Sequence, residues 1–472
     1  MAHQTEALKR LEGKRWFGLF CEQGTGKTWM ALADAERAYA AGKINALLIV
    51  APKGVHTNWT RREIPEHVEA PTKVAAYLAG SKSAQKSIEA LHREGGDKLR
   101  VLSINIDALN TDTGFKTSVK FLERHRAIMV VDESHRIKTP NTGVTRRTLA
   151  LGRRAVARRI ATGTPLTNMP SDLYSQFEFL RPGLLGFDSY RAFVAQFAEI
   201  LPDDHHMMRH IMKSSKFKPQ LIARDRDGEP RWRNLDQLRE LLEPHVYRVL
   251  KRDCLDLPEK IYQTRFFELS ARQQEVYRRL ERRLIIEHGD DLLAVHALAA
   301  RTKLQQITSG FVNVEGEPFY VAKDNPRLAL LREIVQDQQG QFIIWARFTE
   351  ELTSIKLLMD QLDIPSVEYR GEISARDREA AVDDFQSGKA TAFIGQPQSG
   401  GLGLTLTAAK TVIYYSNDFN YGTRTQSEDR AHRKGTMSHV VYIDLVATDT
   451  IDEAIARNLQ RKGRVAAQVL GD

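Results

Sequence analysis

The stretch "FCEQGTGKT", Phe20–Thr28, decides how this chain is read. Gly26, Lys27 and Thr28 close the pattern of a phosphate-binding loop, but Cys21 stands where that pattern opens with glycine. The chemistry lies in the second half of the loop. Gly24 and Gly26 let backbone N–H groups approach phosphate oxygens, the start of the following helix is positive, and Lys27 adds a point charge. The opening glycine only eases an early turn. Upstream, "WFGLF" (Trp16–Phe20) is a short apolar run that reads as a buried strand, and 27–41 reads as a helix. Strand, loop and helix in that order are the unit of a parallel α/β sheet.

The same grammar continues outward. "ALLIVAP" (Ala46–Pro52), "RVLSINI" (Arg100–Ile106), "AIMVVDES" (Ala127–Ser134) and "ARRIATG" (Ala157–Gly163) are further strands, with helices such as 81–93 between them. Apolar character without in-out alternation marks strands buried on both faces. The pattern returns late in the chain, in "QFIIWAR" (Gln341–Arg347), "SVEYRG" (Ser366–Gly371), "ATAFIGQ" (Ala390–Gln396), "TVIYYSN" (Thr411–Asn417) and "VVYIDLV" (Val440–Val446). Between these two α/β regions lie long charged stretches of helical pattern, best seen in 269–307.

At 472 residues the chain is too long for a single core. Hydrophobic content of 42% with 27% charged residues excludes a wholly disordered chain. Lys and Arg number 69 against 60 Asp and Glu, a net charge of +9 that suits a polyanionic partner without demanding one. Cys21 and Cys254 are too few and too far apart for a disulfide framework or a thiolate zinc site. No apolar run reaches the roughly 18–20 residues of a membrane span, so a soluble, cytoplasmic protein is expected. "DDHHMMRH" (Asp203–His210) lacks ligands at metal spacing and reads as a polar loop.

A second motif bears on the first. "IMVVDESH" (Ile128–His135) ends a buried strand in two adjacent acids, at the sheet edge where α/β proteins meet their ligands. Asp132 can hold Mg²⁺ through water, with Thr28 on the metal from the loop side, and Glu133 can orient and deprotonate an attacking water.

With these motifs on the page, the chain resembles helicase superfamily two, and within it the Swi/Snf group of DNA translocases. "HQTEALKRL" places Gln4 like the group's adenine-reading glutamine, and "LLIVAPKGVHTNW" (Leu47–Trp59), "DESH" and "ATGTPLTN" (Ala161–Asn168) look like motifs Ia, II and III. "YRVLKRDCLDLPEK" (Tyr247–Lys260) is similar to the linker signature, the segment 396–420 to motif V, and "QSEDRAHRKG" (Gln426–Gly435) to motif VI. Thr405 and Thr436 depart from the group's usual Asn and Gln, and few residues precede Gln4.

The resemblance implies two RecA-like lobes with helical inserts: an ATP-binding lobe over 1–182, a helical insert and linker over 183–257, a helical protrusion over 258–326, and a second lobe over 327–472. It implies ATP and Mg²⁺, with Gln4, Gly24, Thr25, Gly26, Lys27 and Thr28 on the nucleotide. Arg430 and Arg433, three apart as on one helix face, are the expected arginine finger beside the catalytic Glu133. Lys53, Arg347, Gly400 and Gly401 are expected on the backbone of duplex or branched DNA, held without sequence preference by a monomer. The implied task is movement on DNA: branch migration, fork remodelling or annealing. A strand-separating DNA or RNA helicase and an ATP-gated clamp without turnover stay open as alternatives.

Overall fold

The computed structural model describes residues 1–93, 97–202, 221–225, 229–288, 295–322, 324–398, 404–436 and 438–472. The chain divides into two compact units. Unit 1 comprises 1–198, 232–256 and 465–472, and unit 2 comprises 199–231 and 257–464.

Unit 1 is built on seven parallel strands: β1 (Trp16–Cys21), β2 (Ala46–Ala51), β3 (Thr72–Ala76), β4 (Leu99–Asn105), β5 (Ala127–Asp132), β6 (Ala157–Ala161) and β7 (Val246–Val249). Their order across the sheet is β3-β4-β2-β5-β6-β1-β7. Strands β2 and β5 are buried at every residue, as their unbroken apolar runs require. The register sets the strand ends level: Asp132 pairs with Ala161, and Ala161 with Leu19. The loops after β1, β5 and β6 therefore leave the sheet side by side.

Strand β6 is apolar except for two buried arginines, and each is matched. Arg159 pairs with Asp34 at 2.9 Å. Arg158 donates to the carbonyls of Phe179 and Leu180, closing the C-terminal end of the helix Asp172–Leu180.

Unit 2 has a six-stranded parallel sheet of β8 (Lys260–Phe267), β11 (Phe342–Trp345), β12 (Ser366–Tyr369), β13 (Ala392–Gly395), β14 (Thr411–Tyr414) and β15 (Val440–Ala447). The order is β12-β13-β11-β14-β15-β8. A separate antiparallel hairpin joins β9 (Phe311–Val314) to β10 (Glu317–Tyr320). Two parallel α/β units are thus present, as expected.

The segments between them differ from expectation. Residues 183–257, read as helical insert and linker, contain β7, which pairs with β1 from Gly18–Val246 to Cys21–Val249. Residues 258–326, read as a helical protrusion, contain β8, β9 and β10. Strand β8 pairs with β15 along its whole length yet is exposed over most of it, so its sequence carries no buried-strand signal. The histidine-bearing stretch 203–210 lies outside the described residues. Among the described residues no His, Cys, Asp and Glu cluster could hold a metal ion, and no helix is long and apolar enough to cross a membrane.

Candidate nucleotide site

Cys21 is still strand, and the turn begins only at Glu22. Burial pushes its thiol up to about 12, which makes it an inert core residue. A glycine is not needed there because the backbone has not yet turned. It is needed at Gly24 and Gly26, whose φ values of 84° and 88° lie in the left-handed region. Gly26 is also the N-cap of the helix Lys27–Ala40. The Gln4 side-chain amide packs where a Cβ on Gly26 would stand, so a side chain there would displace Gln4 as well as strain the backbone. His3 Nε2 lies 2.8 Å from the Thr25 carbonyl, and Thr25 Oγ1 donates to Glu22 O at 2.8 Å. Gln4 and the loop are thereby one packed assembly.

The acids at the end of β5 face the loop. Lys27 Nζ stands 3.8 Å from Glu133 Oε1. Glu133 has φ 49°, a left-handed conformation that costs energy for a residue with a Cβ and is held by its contacts. Thr162 Oγ1 donates to Glu133 Oε2 at 3.1 Å, and His135 Nδ1 lies 3.1 Å from that hydroxyl and 3.4 Å from the carboxylate. Asp132 accepts from the Glu133 N–H on Oδ1 and from the Trp59 indole N–H on Oδ2, each at 3.0 Å.

These surroundings separate two neighbouring carboxylates. Burial, and then the adjacent Glu133 charge, push Asp132 up from the ordinary range. Burial also opposes the Glu133 charge, but Lys27, His135 and Thr162 outweigh it and hold that carboxyl low. The donor set fits Mg²⁺: an oxygen-only carboxylate, Asp132, and the Thr28 hydroxyl on the first turn of the loop helix.

Motif III is wired into the same site. A Cβ at Gly163 would meet Gln23 N at 3.3 Å and Cys21 O at 3.4 Å, so the segment after β6 lies against the phosphate loop with little room to spare for a side chain. Ser134 Oγ donates to Gln176 Oε1 at 2.7 Å, and Gln176 Nε2 donates to Pro165 O at 2.9 Å. The Asp172 carboxylate accepts from Thr167 N, Thr167 Oγ1 and Asn168 N at 3.1, 2.8 and 2.8 Å. Trp59, Thr162, His135 and Gln176 were not singled out from sequence. Trp59, Thr162 and His135 stood inside motifs read there, whereas Gln176 lies outside them.

Lys53 is exposed just beyond β2, at the same sheet edge as the acids. Arg347, Arg430 and Arg433 belong to unit 2. Gly400 and Gly401 lie outside the described residues. The Arg347 backbone N–H donates to Glu351 Oε2 and Ser416 Oγ, each at 2.9 Å, and its side chain donates to Gln305 Oε1.

The helix Tyr421–Ala431 ends before Arg433, so the two arginines do not share a helix face as their spacing predicts. They converge by another route. Arg433 Nη1 donates to Leu404 O at 3.0 Å and Thr405 Oγ1 at 3.1 Å, and Arg430 Nη1 reaches Leu404 O at 3.5 Å. Thr436 Oγ1 accepts from Arg433 N at 3.2 Å and donates to Ala431 O at 2.8 Å. Both positions that depart from the group's pattern therefore hold Arg433.

Motif VI is anchored by a buried ion network. Glu428 binds Lys260 Nζ at 3.0 Å, Tyr262 Oη at 2.7 Å and Arg424 Nε at 2.8 Å. Arg424 continues to Asp444 at 3.1 Å and lies 3.5 Å from the centre of the Tyr414 ring. His432 Nε2 lies 2.7 Å from Pro258 O.

A phosphate loop and an acid pair at the carboxyl edge of a parallel sheet, with a second parallel α/β unit on the same chain, define a helicase-like ATPase core. The profile described as "SNF2-related domain" matches residues 6–316, and "Helicase conserved C-terminal domain" matches 326–435. The chain belongs to the SNF2-related family.

Among similar curated proteins, "Chromodomain-helicase-DNA-binding protein 1-like" of Danio rerio is 26% identical over 488 residues, covering 98% of this chain and 43% of that protein. "ATP-dependent helicase FUN30" of Saccharomyces cerevisiae is 24% identical over 522 residues, covering 93% of this chain and 44% of that protein. The chain thus spans less than half the length of these relatives. The solved "Sulfolobus solfataricus SWI2/SNF2 ATPase core in complex with dsDNA" matches with a TM-score of 0.40 and 22% identity, over 100% of this chain and 92% of that one.

Proposed function

We propose that this chain is a DNA-stimulated ATPase that couples hydrolysis to movement along duplex or branched DNA. The observation that carries the reading is Glu133, held ionised in a left-handed backbone conformation by Lys27, Thr162 and His135 at the mouth of the phosphate loop. A fixed carboxylate beside a loop lysine is what aligning and deprotonating an attacking water requires.

In this reading Gly24, Thr25, Gly26 and Lys27 hold the phosphates and Gln4 reads adenine. Thr28 and, through water, Asp132 hold Mg²⁺, which supplies charge neutralisation at the phosphates. Arg430 and Arg433 stabilise charge on the transferred phosphoryl group. Lys53, Arg347, Gly400 and Gly401 hold phosphodiester oxygens without reading bases. Hydrolysis is coupled to advance along the strand. The protein works as a monomer in the cytoplasm, and its task is branch migration, fork remodelling or annealing.

The test is ATP turnover measured side by side with duplex DNA, single-stranded DNA, RNA, forked DNA and four-way junctions. Duplex or branched DNA is expected to stimulate most. A clear preference for RNA, or no turnover with any polymer, overturns the proposal.

A further inference from the structure

We infer that the arginine face of the helix Ala271–His288, between Arg272 and Arg283, is an additional landing surface for the phosphodiester backbone of duplex DNA. This rests on the reading of the chain as a DNA-dependent motor.

One side of the helix is core. Gln273 and Tyr277 are buried, and Tyr277 packs with Ala300, Leu304 and Ile307 of the following helix region. The other side carries Arg272, Arg278, Arg279, Arg282 and Arg283, all exposed. At 100° per residue these fall within one broad arc, with Glu275 as the acid among them and Glu281 turned away. Glu275 is engaged by Arg272 at 2.7 Å and by Arg279 at 2.6 Å. Arg278 and Arg282, four apart on the same side, have no ion-pair partner among the described residues.

Like charges at this spacing repel and weaken a helix. Three helical arginines elsewhere in unit 2 have carboxylate partners: Arg457 with Glu453 at 3.3 Å, Arg424 with Glu428 at 2.8 Å, and Arg461 with Asp225. Here the fold leaves the repulsion in place, and an anionic partner removes it. The stripe runs about 16 Å at about 1.5 Å per residue. At about 3.4 Å of axial rise per base pair, that is the length of roughly five base pairs of duplex. Guanidinium forks grip phosphate oxygens in pairs and carry no sequence information.

The test compares the full chain with its Arg278→Gln/Arg282→Gln variant, measuring affinity for a short blunt duplex over a series of salt concentrations. Loss of two phosphate contacts should make the slope of log K against log salt shallower by about two. The DNA concentration for half-maximal ATP turnover should rise several-fold, with turnover at saturating DNA unchanged. The Arg278→Lys/Arg282→Lys variant should keep the slope. An unchanged slope in the glutamine variant overturns the inference and assigns the stripe to an acidic protein or to solvent. If the wild-type chain itself shows no salt-dependent duplex binding, the motor reading falls as well.

Discussion

Lys260 Nζ stands 3.0 Å from Glu428 Oε2, joining the linker signature to the motif VI helix across 168 residues of sequence. Burial disfavours both charges, yet Glu428 and Asp429 hold Lys260 well above its ordinary range, and Lys260 and Arg424 bring Glu428 down to about 2. Without Lys260, Glu428 keeps Arg424 and Tyr262 but loses one of its two cations. Lys260→Met is expected to cost about 1–3 kcal/mol, under the value for an uncompensated buried charge because those partners stay and Lys260 is partly exposed. Urea unfolding of the variant measures it, and an unaltered midpoint would contradict the assigned role. Because the folded pKa of Glu428 lies below its ordinary 4.5, its contribution is complete above that pH and is lost as pH falls toward 2. The variant should lose the share of that acid sensitivity that Lys260 supplies, the share from Arg424 and Tyr262 remaining.

The phosphate loop and the acid pair separate binding from turnover. Lys27→Ala is expected to weaken nucleotide affinity. Glu133→Gln should keep binding and lower turnover by about 10²–10⁴-fold. Fluorescent-nucleotide titration alongside a phosphate-release assay distinguishes the two, and normal hydrolysis by the glutamine variant removes Glu133 from the role of base.

Trp59 ties the segment that carries Lys53 to Asp132. Trp59→Phe keeps most of the ring but leaves Asp132 Oδ2 without its donor, a loss of about 1–3 kcal/mol where the group is buried. The expected result is a several-fold shift in the Mg²⁺ concentration that supports half-maximal nucleotide binding, together with a lower melting temperature. If Mg²⁺ dependence stays at the wild-type value, the indole acts in packing alone.

Arg433 depends on two threonines. Arg433→Ala should lower turnover by about 10³-fold, the scale of an arginine finger. Thr436→Val, which removes the hydroxyl joining Arg433 N to Ala431 O, should give a smaller loss of the same kind. Steady-state kinetics at saturating DNA tests both, and equal effects on nucleotide affinity would argue against a role in the chemical step.

His125 stacks on His92 with ring centres 5.3 Å apart and planes 3° apart. Burial, then the His92 charge, then Arg100 and Arg124, bring its pKa down from 6.5 to about 4. The contribution to stability is therefore whole above 6.5 and is lost as pH falls through that window. His125→Phe should flatten the stability curve between those values by an amount on the order of 1 kcal/mol, allowing for solvent screening. Denaturant melts at a series of pH values report it, and a curve parallel to wild type would rule it out.

Strands β1, β2, β5 and β6 were legible because both of their faces are buried, so their composition alone betrays them. The phosphate loop was legible for the same local reason: left-handed φ at Gly24 and Gly26 leaves a glycine in the sequence. Strands β7 and β8 were not, since each lies at a sheet edge where half-exposed residues need not be apolar.

For "FCEQGTGKT" and "DESH", the residues by themselves determined which groups carry the chemistry, because backbone freedom and charge are properties of the residue types. Only the tertiary structure decided which of them act together. Glu133 is aimed by Thr162 and His135, Asp132 by Trp59, and Arg433 by Thr405 and Thr436. Each aim rests on a side-chain contact that chain folding closes, and those from Trp59, Thr162 and Thr405 span 73, 29 and 28 residues that leave no periodic trace in the sequence.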